Sequence, residues 1–223
     1  MSKQASLLSR QTVSKIIGQL KSTIRDIDAL LSQRERIRDQ MIKLSRDIIR
    51  YSSWAINALH QGLVDEARKL LNELDNLTAK FLSLAKQDPV LYYSGLVYST
   101  LAEYTEAKIF YSITIESVLP TPKDLGVDEV SYLQGLCDAI GELRRLALDM
   151  LRIGKVEQAE VLLDIMEGMY YELRGLEYPD ALIPGVKRKI DAIRRLIDDT
   201  KTLLVEVKGR GELVKLLESK RPL

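Results

Sequence analysis

From Thr12 to His60 the chain contains no proline and one glycine, Gly18, and this stretch limits the possible folds more than any other part of its 223 residues. Apolar residues recur at Val13, Ile16, Ile17, Leu20, Ile24, Ile27 and Leu31, then at Ile37, Met41, Leu44 and Ile48. Steps of three and four are the signature of one very long amphipathic helix, or of two nearly collinear ones. A helix of that length cannot bury its apolar stripe against one short neighbour, so the pattern predicts a bundle with several partners or a seam between subunits. Its polar side is basic, with Arg34, Arg36, Arg38, Lys43, Arg46 and Arg50 close together. Glu35, Asp39 and Asp47 stand at helical spacing to several of these, so the face is either simply solvated or meets an anionic ligand.

Punctuation divides the remainder. A second helix is predicted from Leu63 to about Lys86, ended by Asp88-Pro89, and a third from about Val90 to Val118. Pro120 to Gly126 is the clearest loop, Asp128 is the expected N-cap of a fourth helix ending near Ile153-Gly154, and a fifth runs from Lys155 to about Arg174. Tyr178-Pro179-Asp180 and Pro184-Gly185 make the next connection. The last long helix is expected over Val186 to Val207, with Gly209-Arg210-Gly211 separating it from a short tail helix in 212–223. No strand signal, phosphate-binding glycine loop, HExxH motif or 34-residue repeat is visible. The expectation is an all-α, single-domain bundle over 1–223 of about six or seven antiparallel helices, with residues 1–10 flexible. The short loop at 120–126 is expected to make the third and fourth helices antiparallel neighbours.

Composition removes other classes. One cysteine, Cys137, set among Leu136, Ala139 and Ile140, excludes an intramolecular disulfide framework and a Cys-rich zinc site, and it reads as a small buried hydrophobe. Met1 to Arg10 is polar and carries no apolar signal core, and no apolar run approaches the roughly 18 residues that span a bilayer. A cytoplasmic protein without membrane contact is expected, or a nuclear one in a nucleated cell. The net charge of +1 gives no global field for nucleic acid, so any such binding needs a local patch or a cavity that gathers charge from several subunits.

Two acidic motifs carry the chemistry. Glu103 and Glu106 are spaced i,i+3 in Glu103-Tyr104-Thr105-Glu106-Ala107, and Asp138 and Glu142 are spaced i,i+4 in the next helix. Each pair shares a helix face with Cβ atoms roughly 5–6 Å apart and could bind one cation. Leu101, Ile109, Leu133, Leu136, Ile140 and Leu143 draw both segments toward a core, where carboxylates need partners. A metal is one such partner, and Lys108, Arg144 or Arg145 the plainer one.

Tyr132-Leu133-Gln134-Gly135-Leu136-Cys137-Asp138-Ala139-Ile140-Gly141-Glu142-Leu143 resembles the second acidic signature of the translin superfamily. The Glu-Tyr-x-Glu-Ala form at Glu103 is similar to that of its catalytic branch, translin-associated factor X. Lys43-Leu44-Ser45-Arg46-Asp47-Ile48, followed by His60, resembles a segment of the same branch, and Val186 to Gly211 looks like the family's last long helix. The pattern departs from the family at Ser131, where an Asp is usual, and at Ser53 and Trp54, where a Lys-Arg pair is common. The resemblance implies an all-helical oligomer with an internal cavity, a homo-octamer, that takes single-stranded RNA or DNA. In the catalytic branch it implies an endoribonuclease dependent on Mg²⁺ or Mn²⁺, with Glu103, Glu106, Asp138 and Glu142 as catalytic and metal-binding set. It also favours RNA contact along Arg34, Arg38, Lys43, Arg46 and Arg50. For His60, capping or a core hydrogen bond is the simpler role; Trp54 either stacks on a base or packs.

Three functions of different kind follow: a metal-dependent endoribonuclease, a non-catalytic single-stranded RNA/DNA-binding oligomer, and a helical scaffold whose acids are salt-bridge partners. Four carboxylates clustered around one point have an electrostatic reason only if they hold a cation, which favours the nuclease.

Overall fold

The computed structural model describes residues 9–219, so Met1 to Leu8 and the last four residues of the expected tail lie outside the described residues. Helix α1 is a single element of 51 residues, Arg10–His60, about 75 Å long, with Ser9 as N-cap accepting from Thr12 N. Then come α2 (Val64–Ala85), α3 (Pro89–Tyr92), α4 (Gly95–Tyr111), α5 (Pro122–Leu125), α6 (Glu129–Arg152), α7 (Val156–Leu173) and α8 (Val186–Ser219). Every described element is helical and none is a strand. No helix among the described residues is long and apolar enough to cross a membrane.

Two boundaries differ from the sequence expectation. The predicted third helix is broken at Tyr93-Ser94: Ser94 is extended, its hydroxyl donates to Leu91 O at 2.6 Å, and Gly95 begins a new helix. α4 then loosens into a π-helical turn, Ser112–Glu116, closed by Ser117 in the left-handed region. At the other end α8 runs unbroken through Gly209 and Gly211. Glycine costs roughly 1 kcal/mol in a helix interior, too little to stop one already nucleated.

Helix directions correct a larger expectation, that α4 and α6 are antiparallel. Ala102 and Thr105 lie against Gly135. Farther along both helices, Phe110 and Glu142 meet the same ring, His60. The order is the same on each helix, so α4 and α6 run parallel, and the segment between them crosses back along the bundle. Thr121 with Asp124 forms a capping box on α5 and Asp128 caps α6, so the crossover is held by its own hydrogen bonds. Ser131 is fully buried and donates to Asp128 at 2.6 Å, which gives that departure a structural reading.

The same logic orders the other helices. Tyr104 and Lys108 both reach Asp75 while Tyr111 meets Arg68, so α2 is antiparallel to α4. Asp138 pairs with Lys189 and Arg144 with Thr200, so α8 is parallel to α6. Lys201–Glu167 and Lys208–Glu160 make α7 antiparallel to α8. The molecule is therefore two up-down-up halves, α1-α2-α4 and α6-α7-α8, joined through α4 and α6. The core runs through both, with Met41, Ile48, Phe81, Leu101, Phe110, Ile140, Leu143 and Met166 at most 1% exposed.

Candidate active site

Gly135 sets how closely the halves meet. A Cβ built on it would stand 2.6 Å from both Ala102 O and Thr105 Cβ, so only glycine fits between the helix backbones. Ala102 and Thr105 flank Glu103 and Glu106, and Asp138 lies one turn beyond Gly135. This close approach, between parallel rather than antiparallel helices, brings both acidic pairs to one seam, half-buried.

The environment acts differently on each acid. Burial, then the charges of Asp138, Glu103 and Glu142, pushes Glu106 up to about 8, with Lys189 opposing. Burial, then Asp138, also raises Glu103. Glu142 goes the other way, held down by the hydrogen bond from His60, whose Nε2 lies 2.6 Å from Glu142 Oε2, with Arg145 assisting. Asp138 is ion-paired with Lys189. Thus α1 and α8 also reach the seam. His60 is not a cap: its ring is buried, stacks 4.9 Å from Phe110, and is 3.9 Å from Asp149 through Nδ1. Lys189, near the head of α8, is a site residue that no local sequence pattern assigns to Asp138.

Among the described residues no three His, Cys, Asp or Glu side chains converge on a point that would hold an ion as they stand. Asp138 and Glu142 are turned toward Lys189 and His60 instead. The donor set nonetheless fits Mg²⁺ or Mn²⁺ in kind, being all carboxylate oxygen, and Glu106 keeps its proton first because it is buried and then because three carboxylates stand near it. Cys137 is buried with its thiol pushed up to about 12, the inert core residue expected.

The raised Glu106 carboxyl makes stability depend on pH. Between about 4.5 and 8 the folded chain keeps a proton that the unfolded chain has lost, so stability falls as pH rises through that window. Glu106→Gln, which keeps the neutral shape, is expected to match the wild type near pH 5. Above pH 8 it should be more stable by roughly 2–4 kcal/mol, read as a melting temperature higher by roughly 5–10 °C without divalent ions. Parallel melting curves at all pH values would show that the seam is not strained.

On α1 the expected basic residues separate. Lys43, Arg46, Arg50 and Arg38 are exposed, whereas Arg34 is tied to Asp88. Arg50 bonds Asp47 and lies over the Trp54 ring, 5.3 Å from its centre. Trp54 is 46% exposed and 5.2 Å from Tyr51, so it is not a core residue; its face is open to stacking.

Two helical halves joined through parallel helices, with four half-buried carboxylates along their seam, define an all-α protein with a candidate acidic site. The Translin family profile matches residues 36–207. The chain belongs to that family. It is 29% identical over 192 residues to "Uncharacterized protein MJ0175" of Methanocaldococcus jannaschii, covering 82% of this chain and 85% of that protein. Its fold is similar to AfC3PO, solved alone and as an AfC3PO–duplex RNA complex, with a TM-score of 0.77 and 29% identity in each case; the complex covers 84% of this chain and 97% of that one. It also matches apo-NeC3PO at a TM-score of 0.75 and 24% identity, over 82% of this chain and 96% of that one, a likeness of fold alone.

Proposed function

We propose that the chain is the subunit of an RNA-binding homo-oligomer, of the factor X-like branch and octameric, and that the seam between α4 and α6 hydrolyses RNA with Mg²⁺ or Mn²⁺. The observation that carries this reading is Glu106, a carboxyl driven to about 8 by burial and by Asp138, Glu103 and Glu142. A scaffold gains nothing from such a group, whereas a cation converts the repulsion into ligation. A bound divalent ion would supply an activated water and stabilise charge on the scissile phosphate. The rest is done by the chain. Glu106 holds a proton up to about pH 8 and would have to lose it to serve as a ligand, so loading should strengthen as pH rises toward 8. Asp138 would hold such an ion in place of its pairing with Lys189, whose ammonium would then be available to a phosphate oxygen. His60 fixes Glu142 through Oε2 and leaves Oε1 without a side-chain hydrogen bond among the described residues.

A second reading, a non-catalytic single-stranded RNA/DNA binder, has its own support: Asp138 is already ion-paired with Lys189 and Glu142 hydrogen-bonded to His60, so both acids of α6 have partners without metal. The AfC3PO structure was solved with duplex RNA, so both strand forms belong in the assay.

RNA contact is assigned to Lys43, Arg46 and Arg50, spaced i,i+3 and i,i+4 on one exposed face of α1. Each phosphate neutralised on a single strand contributes about −0.7 to the slope of log affinity against log salt. Arg46→Glu with Arg50→Glu is expected to weaken binding for any base sequence and to flatten the slope by about 1.4 per engaged subunit. Titrating labelled RNA at several salt concentrations checks this; an unchanged slope would mean that the face is merely solvated.

A further inference from the structure

We infer that residues 13–31 of α1 are an assembly segment that pairs, parallel and in register, with the same segment of a second copy of this chain. This rests on α1 alone and is independent of the reading of the acidic seam. Val13, Ile17, Leu20, Ile24, Ile27 and Leu31 alternate by four and three without a fault, a heptad seam of three turns of the repeat. Together with Ile16 and Leu30 they stand 43–56% exposed, on a part of the helix that buries no residue. The seam stops where the helix enters its own bundle: Arg34 and Arg38 take the next two heptad positions, Arg34 is tied to Asp88, and burial begins at Ile37. The stripe lies outside the residues that the family profile matches, 36–207.

The occupant follows from area and charge. Covering a half-exposed large aliphatic side chain removes roughly 80 Å² from water. The eight side chains then offer roughly 1,200–1,300 Å² to a symmetric pair, the lower edge of a stable specific interface. In the middle heptad Leu20 at d lies between Ile17 and Ile24 at a, the core that favours two parallel strands, whereas Ile27 at d and Leu31 at a do not add to that preference, so the parallel alignment rests on the flanking charges. In that alignment Lys21 faces Ile16 of the partner subunit and Asp28 faces Thr23 of the partner subunit, so no like charges meet and the Lys21 stem covers apolar surface. The antiparallel alignment that fills all the apolar layers would set Lys21 against Lys21 of the partner subunit.

The test is disulfide trapping in the full-length chain, whose own thiol at Cys137 is buried. Ile24→Cys lies in the seam and Ser22→Cys on the outer face. Under mild oxidation Ile24→Cys should run as a covalent dimer in most chains on a non-reducing gel, and Ser22→Cys as a monomer. Adding Ile17→Asp to Ile24→Cys should lose the dimer band with helix content unchanged. A monomeric Ile24→Cys would overturn the proposal, whether the stripe lies against another protein or against the body of a neighbouring subunit. Trapping only between Leu20→Cys and Ile24→Cys chains would overturn the parallel alignment.

Discussion

Asp138→Asn is expected to lower RNA cleavage by roughly 10²–10³-fold or more while changing neither RNA affinity nor its salt slope. After burial, the charge of Asp138 is the next cause that raises both Glu103 and Glu106, so of the acids on α6 it acts on both acids of α4. Asparagine keeps its shape and can still accept from Lys189, and a one-third-exposed ion pair contributes at most about 1 kcal/mol. The fold should survive and the charge for a cation should not. Glu106→Gln is expected to be as inactive and, at alkaline pH, more stable. Single-turnover cleavage of labelled single-stranded and duplex RNA with Mg²⁺, Mn²⁺ or EDTA measures it; cleavage that persists in both variants would place the chemistry elsewhere.

Gly135→Ala is expected to destabilise the chain by about 3 kcal/mol, a fall in melting temperature of roughly 6–12 °C. The added methyl group would meet a backbone oxygen and a β-carbon, Ala102 O and Thr105 Cβ at 2.6 Å, and neither can swing aside. α4 must move off α6, which parts Glu103 and Glu106 from Asp138 and Glu142, so cleavage should fall as well. Gly141→Ala, on the same helix with nothing within 4 Å of its Cβ, is the contrast: it should gain up to about 1 kcal/mol of helix propensity. Equal melting temperatures for the two variants would mean that the seam at Gly135 is looser than described.

The elements that were legible in the sequence are those governed by local periodicity. α1 could be drawn from its apolar steps, and Asp128 and Gly154 mark real helix ends because caps and turns are short-range chemistry. The acidic pairs could be placed on neighbouring helices for the same reason. Relative direction could not be read: a proline-rich connection suggests a tight reversal, yet 117–128 carries the chain back and starts α6 parallel to α4. Nor could the partners of the acids. Lys189 lies 51 residues from Asp138 and His60 lies 82 from Glu142. No spacing rule reaches that far, and only the packing of α1 and α8 on the seam brings them there. Gly209 and Gly211 show the opposite case: a glycine pair resembles a helix stop, yet α8 runs through both because nothing else ends the helix.

The central claim is that the seam between Glu106 and Asp138 is a cation site, and the most direct test is anomalous diffraction from crystals soaked in Mn²⁺ at about pH 8. The account predicts one strong peak between these carboxylates, with Asp138 turned away from Lys189, and its loss in Asp138→Asn. An empty seam, with the Lys189–Asp138 and His60–Glu142 pairs intact at saturating Mn²⁺, would contradict it and leave the non-catalytic RNA/DNA-binding oligomer as the better reading.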